Sequence, residues 1–187
     1  MVLRRLATVL AVSLAALCAP QTPAPRALLL PIVCPAAPDA QTASRWALLG
    51  RAALTRDFQE RGFDVVSGVQ VQALADGRRI DLQSVESWTP DTFKTLGDPH
   101  RARFVVAVLV KGMAAKDAKM IEATVVASIY DLQQRRYVFE GKEAAASAEF
   151  ESEESRVAAE LKAAADASRA ALQGFLSKYP KVKKPKR

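Results

Sequence analysis

The side chains with the sharpest chemistry in this 187-residue chain are two cysteines and one histidine. A cysteine nucleophile needs an activating base, and His100 is the one imidazole available to Cys18 or Cys34. Neither cysteine sits in a recognisable thiol-enzyme signature. Cys34 closes the apolar run Leu28-Leu29-Leu30-Pro31-Ile32-Val33 and reads as a buried, inert thiol. His100 is isolated and reads as a surface or capping residue. Glu151, Glu153 and Glu154 have the residue types of a metal or acid–base cluster, yet they fall at a helix start, where the macrodipole favours negative charge. Asp76, Asp81 and Glu86 read as surface loop. There is no glycine-rich phosphate loop, metal-ligand spacing or nucleophile elbow. The sequence therefore predicts no catalytic residue, no metal and no cofactor. Trp88, beside a loop and a helix start, has two readings: a partner anchor, since tryptophan is enriched at binding hot spots, or a cover over the sheet, since it is usually well buried.

The first residues predict the compartment. Arg4 and Arg5 form a positive n-region, Leu6 to Leu17 an uncharged apolar run, and small residues and prolines follow from Cys18 to Pro25. That is the layout of a secretory signal, too short to span a bilayer as a mature helix. Residues 1–24 are read as this segment, and general secretion fits better than a twin-arginine route. Cys18 stands where a lipoprotein carries its lipidated cysteine, but Leu17 is bulky where that motif takes a small residue. Ala16-Leu17-Cys18 also satisfies ordinary cleavage after Cys18, so lipid attachment and soluble export both stand. Only Cys34 then persists under either route, which excludes an intramolecular disulfide scaffold.

Charge separates the chain into two objects. Lys and Arg number 27 against 20 Asp and Glu, a net charge of +7. Eight of those cations are Arg4, Arg5, Lys178, Lys181, Lys183, Lys184, Lys186 and Arg187. Without them the body is close to neutral. A nucleic-acid-binding domain carries its positive charge on the fold itself, so no nucleic-acid partner is expected. The tail, residues 179–187, is broken by Pro180 and Pro185 and expected to be disordered. Lys181, Lys183, Lys184, Lys186 and Arg187 are its candidate contacts to an anionic membrane or cell-wall surface.

Residues 25–178 are long enough for one domain with a real core. Arg26 to Val33 predicts a strand buried on both faces. Thr42 or Ser44 can cap a helix that buries Trp46, Leu49, Ala53, Leu54 and Phe58 and leaves Arg45, Arg51, Arg56 and Glu60 to solvent. Gly62 ends it, and Phe63 to Val66 is a second strand, parallel to the first across this β-α-β crossover. Val69 to Ala75 predicts a short helix ended by Asp76-Gly77. Thr89-Pro90-Asp91 starts another that stops near Gly97 to Pro99, and Arg78 to Trp88 is loop or helix. Phe104 to Val110, ending at Lys111-Gly112, begins an antiparallel meander. Ile121 to Leu132 and the run Tyr137-Phe139-Gly141 continue it, across polar connections at Ala114 to Lys119 and Asp131 to Arg136. Glu149 to Tyr179 predicts the longest helix, packing through Val157, Leu161, Ala164, Ala171 and Phe175. The fold class is α/β (α+β): a mixed sheet of about five strands packed by the first helix and a long C-terminal helix.

This order resembles a group of bacterial envelope domains: the penicillin-binding-protein activator lipoproteins, the curli-secretion lipoprotein family and the N-terminal domain of TolB. Ala27-Leu28-Leu29-Leu30-Pro31 matches their first strand, Leu48 to Gly62 their first helix and Phe63-Asp64-Val65-Val66 their short second strand. The hairpin Ile129-Tyr130-Asp131-Leu132 to Tyr137-Val138-Phe139-Glu140-Gly141 looks like theirs. The resemblance covers Arg26 to Lys178 as a pattern of elements, with no site carried over residue by residue. It implies a compact adaptor domain that binds protein partners in the envelope. The leading expectation is thus a non-enzymatic exported protein, periplasmic or anchored at the outer membrane or cell surface, that binds or regulates a protein partner. Two alternatives stand beside it: a small exported hydrolase or thiol enzyme using Cys34, and a structural component of a secretion or cell-wall apparatus.

Overall fold

The computed structural model describes residues 24–35 and 37–179. The signal segment with Cys18, and the tail from Pro180 with Lys181, Lys183, Lys184, Lys186 and Arg187, lie outside the described residues. The elements run β1 (Arg26–Leu29), α1 (Ala40–Glu60), β2 (Asp64–Val65), α2 (Gly68–Arg78), α3 (Pro90–Gly97), β3 (Phe104–Asp117), β4 (Met120–Asp131), β5 (Arg136–Glu149) and α4 (Glu153–Leu176). One five-stranded sheet in the order β2-β1-β3-β4-β5 joins them. β1 pairs in parallel with β2 and β3, and β3-β4-β5 is an antiparallel meander. The α/β class, the mixed sheet and the crossover are as the sequence predicts.

β1 stops at Leu29 because Pro31 has no amide hydrogen to give the ladder; pairing resumes when Val33 bridges Leu109. The turn out of α1 is closed by two reversed bonds, Phe63 N–H to Phe58 O (3.1 Å) and Gly62 N–H to Gln59 O (3.0 Å). Gly62 takes the left-handed conformation such a cap requires, with φ at +79°. The apolar contact that accompanies this cap is Phe58 against Phe63, centroids 5.0 Å apart.

Several boundaries and faces differ from expectation. Asp39, not Thr42 or Ser44, caps α1, its Oδ1 accepting from Thr42 N–H at 2.8 Å. The buried stripe is Trp46, Gly50, Leu54 and Phe58; Leu49 is exposed and Ala53 half-buried. Strict four-residue spacing selects that line, and Gly50 is needed where Ile32 Cδ1 lies 2.7 Å from the place a Cβ would occupy. Arg51 is half-buried rather than solvated. α2 runs through Asp76-Gly77, because Gln72 Nε2 holds Asp76 Oδ1 inside the helix at 2.8 Å; Arg79, at φ +57°, ends it instead. Arg78 to Trp88 is mostly turn, with a single 3-10 turn at Val85–Ser87.

β3 does not end at Lys111-Gly112. It continues to Asp117, a register shift between Val110 and Gly112 absorbing the irregularity, so the β3–β4 connection shrinks to Ala118 and Lys119. The alanine-rich stretch Lys142 to Glu149 completes β5, and α4 begins at Glu153, not Glu149. Ala144, Ala146 and Ala148 pair with Val125, Ala123 and Ile121, and α4 lays its own Ala159, Ala163, Ala167 and Ala171 over that side. Small residues on both elements allow the close approach. Val157 is exposed and Leu161 only half-buried. Ser152 and Ser155 form the capping box that fixes the start of α4.

The sheet divides the core. One side carries Ala27, Leu29, Phe104, Val106, Val108, Ile121, Val125 and Ile129 under α1 and α4. The other carries Leu28, Leu30, Val105, Ala107 and Tyr130 under Val71 and Ala75 of α2 and Phe93 and Leu96 of α3.

Candidate interaction surface

The thiol and the imidazole do not meet. Cys34 lies beyond the Val33–Leu109 bridge, while the His100 carbonyl accepts from Arg26 Nη1 at 2.9 Å, at the row where Ala27 pairs with Phe104. Five residues of β3 separate those rows, roughly 16 Å at strand spacing. Cys34 is 7% exposed, and burial pushes its pKa from 9.0 up to about 12. A thiol held that strongly protonated is a poor nucleophile. Among the described residues no three His, Cys, Asp or Glu side chains converge as a metal site. Glu153 pairs with Arg156 at 2.8 Å in the first turn of α4, and Glu151 and Glu154 are exposed. Asp81 accepts from Gln83 N–H at 2.9 Å and Glu86 accepts from the Ser84 hydroxyl, so both serve local turns.

Trp88 is placed differently. The second face of the sheet is covered only over β1, the first half of β3 and, through Phe93 on Tyr130 and Tyr137, the adjoining end of β4 and start of β5, because α2 and α3 are short. Beyond that cover, Leu109, Val126, Thr124 and Glu122 are half-buried, and Lys111 and Glu143 are exposed and paired across the strands at 3.0 Å. A groove of about 280 Å³ marks the border. Val85, Trp88 and Phe93 form one wall, Tyr137, Glu140 and Gly141 the other, with Ala107 and Ser128 as the floor. Trp88 is half-buried and its indole N–H reaches Leu82 O at 3.5 Å, the outer limit of a hydrogen bond. It both covers the second core and shows a face to the groove.

The opposite wall is fixed by local chemistry. Gly141 has φ of +57°, accessible to glycine at little cost, and its N–H donates to Ser128 Oγ at 3.0 Å. Phe93, Tyr130 and Tyr137 pack edge to face or tilted behind it, with Tyr130 and Tyr137 centroids 5.2 Å apart. Burial, and then the nearby Glu140 carboxylate, hold the Tyr137 phenol above its ordinary pKa. Glu140 itself is exposed and has no ion pair among the described residues.

Sequence reasoning did not single out Asp131, a fully buried carboxylate. It accepts from Gln133 N–H (2.8 Å) and Gln134 N–H (3.0 Å) and meets Arg103 Nε at 3.4 Å, setting the β4–β5 turn. An aspartate that opens a polar connection between two strands is the signal that identifies such a residue. Arg51 left no comparable signal. Its Nη2 is buried without a partner beside Gly68, and burial pushes its pKa down.

No family model matches this chain, and no curated protein matches it in sequence. Solved structures are similar in shape. The lipoprotein GNA1162 from Neisseria meningitidis aligns over 82% of this chain and 99% of its own at 14% identity, with a TM-score of 0.52. The hypothetical protein CT253 from Chlamydia trachomatis aligns over 83% and 95% at 11% identity (TM-score 0.48). The C-terminal domain of LpoB from Escherichia coli aligns over 68% and 86% at 17% identity (TM-score 0.44). The chain thus shares its fold with a bacterial lipoprotein, in keeping with the resemblance carried by its order of elements.

Proposed function

We propose that this is an exported, non-enzymatic envelope protein that binds a protein partner through the uncovered half of its sheet, with Trp88 as an anchor at the border. The observation that carries this reading is the groove between Trp88 and Glu140, opening onto half-buried Leu109 and Val126. It offers an aromatic wall, a floor of small residues and an acid without an ion pair among the described residues. An apolar side chain flanked by a basic residue, presented by the partner, suits that chemistry. The signal-like first segment supports export, and no helix among the described residues is long and apolar enough to cross a membrane.

A photo-activatable residue at Val126 tests this in cells. One envelope protein should cross-link there, and Glu140→Lys and Trp88→Ala should each abolish the product at unchanged protein level. A product that survives both substitutions, or appears equally from a probe at Lys162 on the outer side of α4, would refute the assignment.

A further inference from the structure

The strands bring charge to one end of the molecule. The pairs Arg26–Asp64, Ala27–Phe104, Phe104–Asp131 and Asp131–Arg136 set the starts of β1, β2, β3 and β5 and the end of β4 in one row. The end of α4 joins that row: the Tyr179 ring meets Phe63 with centroids 4.7 Å apart, and the Tyr179 carbonyl accepts from Arg61 Nη1 at 2.8 Å. Both ends of the described chain therefore meet here, since the Pro25 carbonyl accepts from Asp64 N–H at 3.1 Å.

Asp64 at this end is already engaged by Arg26, and Asp131 by Arg103 and the turn amides, while exposed Asp98 lies beside Arg101 and Arg135, outside the cleft of Arg103, Arg136 and Lys178. Arg101, Arg135, Arg136 and Lys178 are exposed and carry no ion pair among the described residues. Arg103, Arg136 and Lys178 line a single cleft of about 380 Å³, walled by the rings of Phe104, Phe175 and Tyr179. The opposite end of the sheet carries Asp117 and Glu149, followed by Glu151, Glu153 and Glu154, against the cations Lys116, Lys119 and Arg156, so acids outnumber bases there. A body that is neutral in sum is polarised from end to end.

We propose that this basic end seats the protein on an anionic phospholipid surface, with a head-group phosphate received between Arg103, Arg136 and Lys178. Charge complementarity is one argument: a phosphate suits a cleft in which three cations meet one buried, committed carboxylate. Continuity of the chain is the other. Past Tyr179 the sequence adds five cations in seven residues from Lys181, and Cys18 precedes Ala24 by six residues. That is a span of at most about 22 Å when extended. Every element of the sequence that favours a membrane is attached at this end. The inference rests on the export reading and is independent of the partner groove.

The test is sedimentation of the processed protein, tail intact, with phosphatidylglycerol/phosphatidylethanolamine vesicles at low salt. Neutral phosphatidylcholine vesicles should not bind. Arg136→Gln with Lys178→Gln should weaken binding about thirtyfold, about fivefold for each charge. Lys116→Gln with Lys119→Gln, at the other end, should change nothing. Both basic positions are exposed, so the thermal midpoint should hold. If it falls, Arg101→Gln with Arg135→Gln provides a second pair that should show a comparable loss. Retention of full affinity by the folded basic-end variants would overturn the proposal, as the tail alone would then be the anchor. Binding to isolated cell-wall polymer that needs these residues, with none to vesicles, would overturn the lipid assignment.

Discussion

The thiol offers the sharpest test of the non-enzymatic reading, because burial gives it a predictable pH signature. Cys34 is raised from 9.0 to about 12 by burial alone. In the unfolded chain the thiol loses its proton as pH passes its ordinary value, while the folded protein keeps it until about pH 12. The folded state thus binds the extra proton, and stability falls as pH rises through that window. The slope is about 1.4 kcal/mol per pH unit. The stabilisation is complete below pH 9, reduced by about 2 kcal/mol at pH 10.5 and lost, about 4 kcal/mol in all, near pH 12. Urea denaturation of the wild type and Cys34→Ala at pH 7.5 and pH 10.5 isolates it, since lysine and tyrosine titrations are common to both proteins. Their difference in stability should shrink by about 2 kcal/mol at the higher pH. An aromatic disulfide reagent at pH 8 should label native Cys34 only as fast as the protein opens. A pH-independent difference, or labelling at the rate of a free thiol, would refute the buried-thiol argument. Complete loss of function in Cys34→Ser at normal protein level would move the thiol-enzyme reading ahead.

Phe58→Ala should cost about 3–5 kcal/mol, because Phe58 is fully buried and meets Phe63 and Phe175 at 5.0 and 6.2 Å. For a body of this size that lowers the melting temperature by roughly 10–15 °C; an unchanged midpoint would mean that α1 packs through another face. Cys18→Ser should release the protein from the membrane fraction and end labelling by a fatty-acid analogue if lipid is attached there. No change in either would assign Cys18 to a discarded signal.

The sheet was legible where the residues left one choice. Ile121, Ala123, Val125, Ala127 and Ile129 alternate without a break, and all five are buried. The Thr89-Pro90 helix start and the Gly62 stop each follow from a single backbone requirement. Legibility failed where local preference and tertiary pairing disagree. Alanines 144–146 favour helix by propensity, yet β4 offers them a partner strand, and pairing outweighs preference. Lys111-Gly112 looks like the end of a strand, but a shifted register carries β3 past it. Trp88 was singled out from its type and its place beside a loop and a helix start. The groove beside it was not, because its second wall comes from β5, about fifty residues later.

The same lengthening of β3 and β5 sets how the two proposed surfaces relate. Parallel pairing ends at Val33–Leu109, while the hairpin continues to Asp117. Eight residues of β3 thus project past the parallel strands, roughly 26 Å at strand rise. The uncovered face lies along this projection, and the basic row lies at the other end of the same strands. A domain seated by Arg103, Arg136 and Lys178 would hold Leu109 and Val126 away from the lipid, with the acidic end pointing outward. Charge favours this orientation on approach, since only the end within a Debye length of about 8–10 Å feels the surface and the basic end is the one attracted. The long hairpin, which the sequence pattern cut short, is therefore the element that would allow one small domain to occupy a membrane and a partner at once.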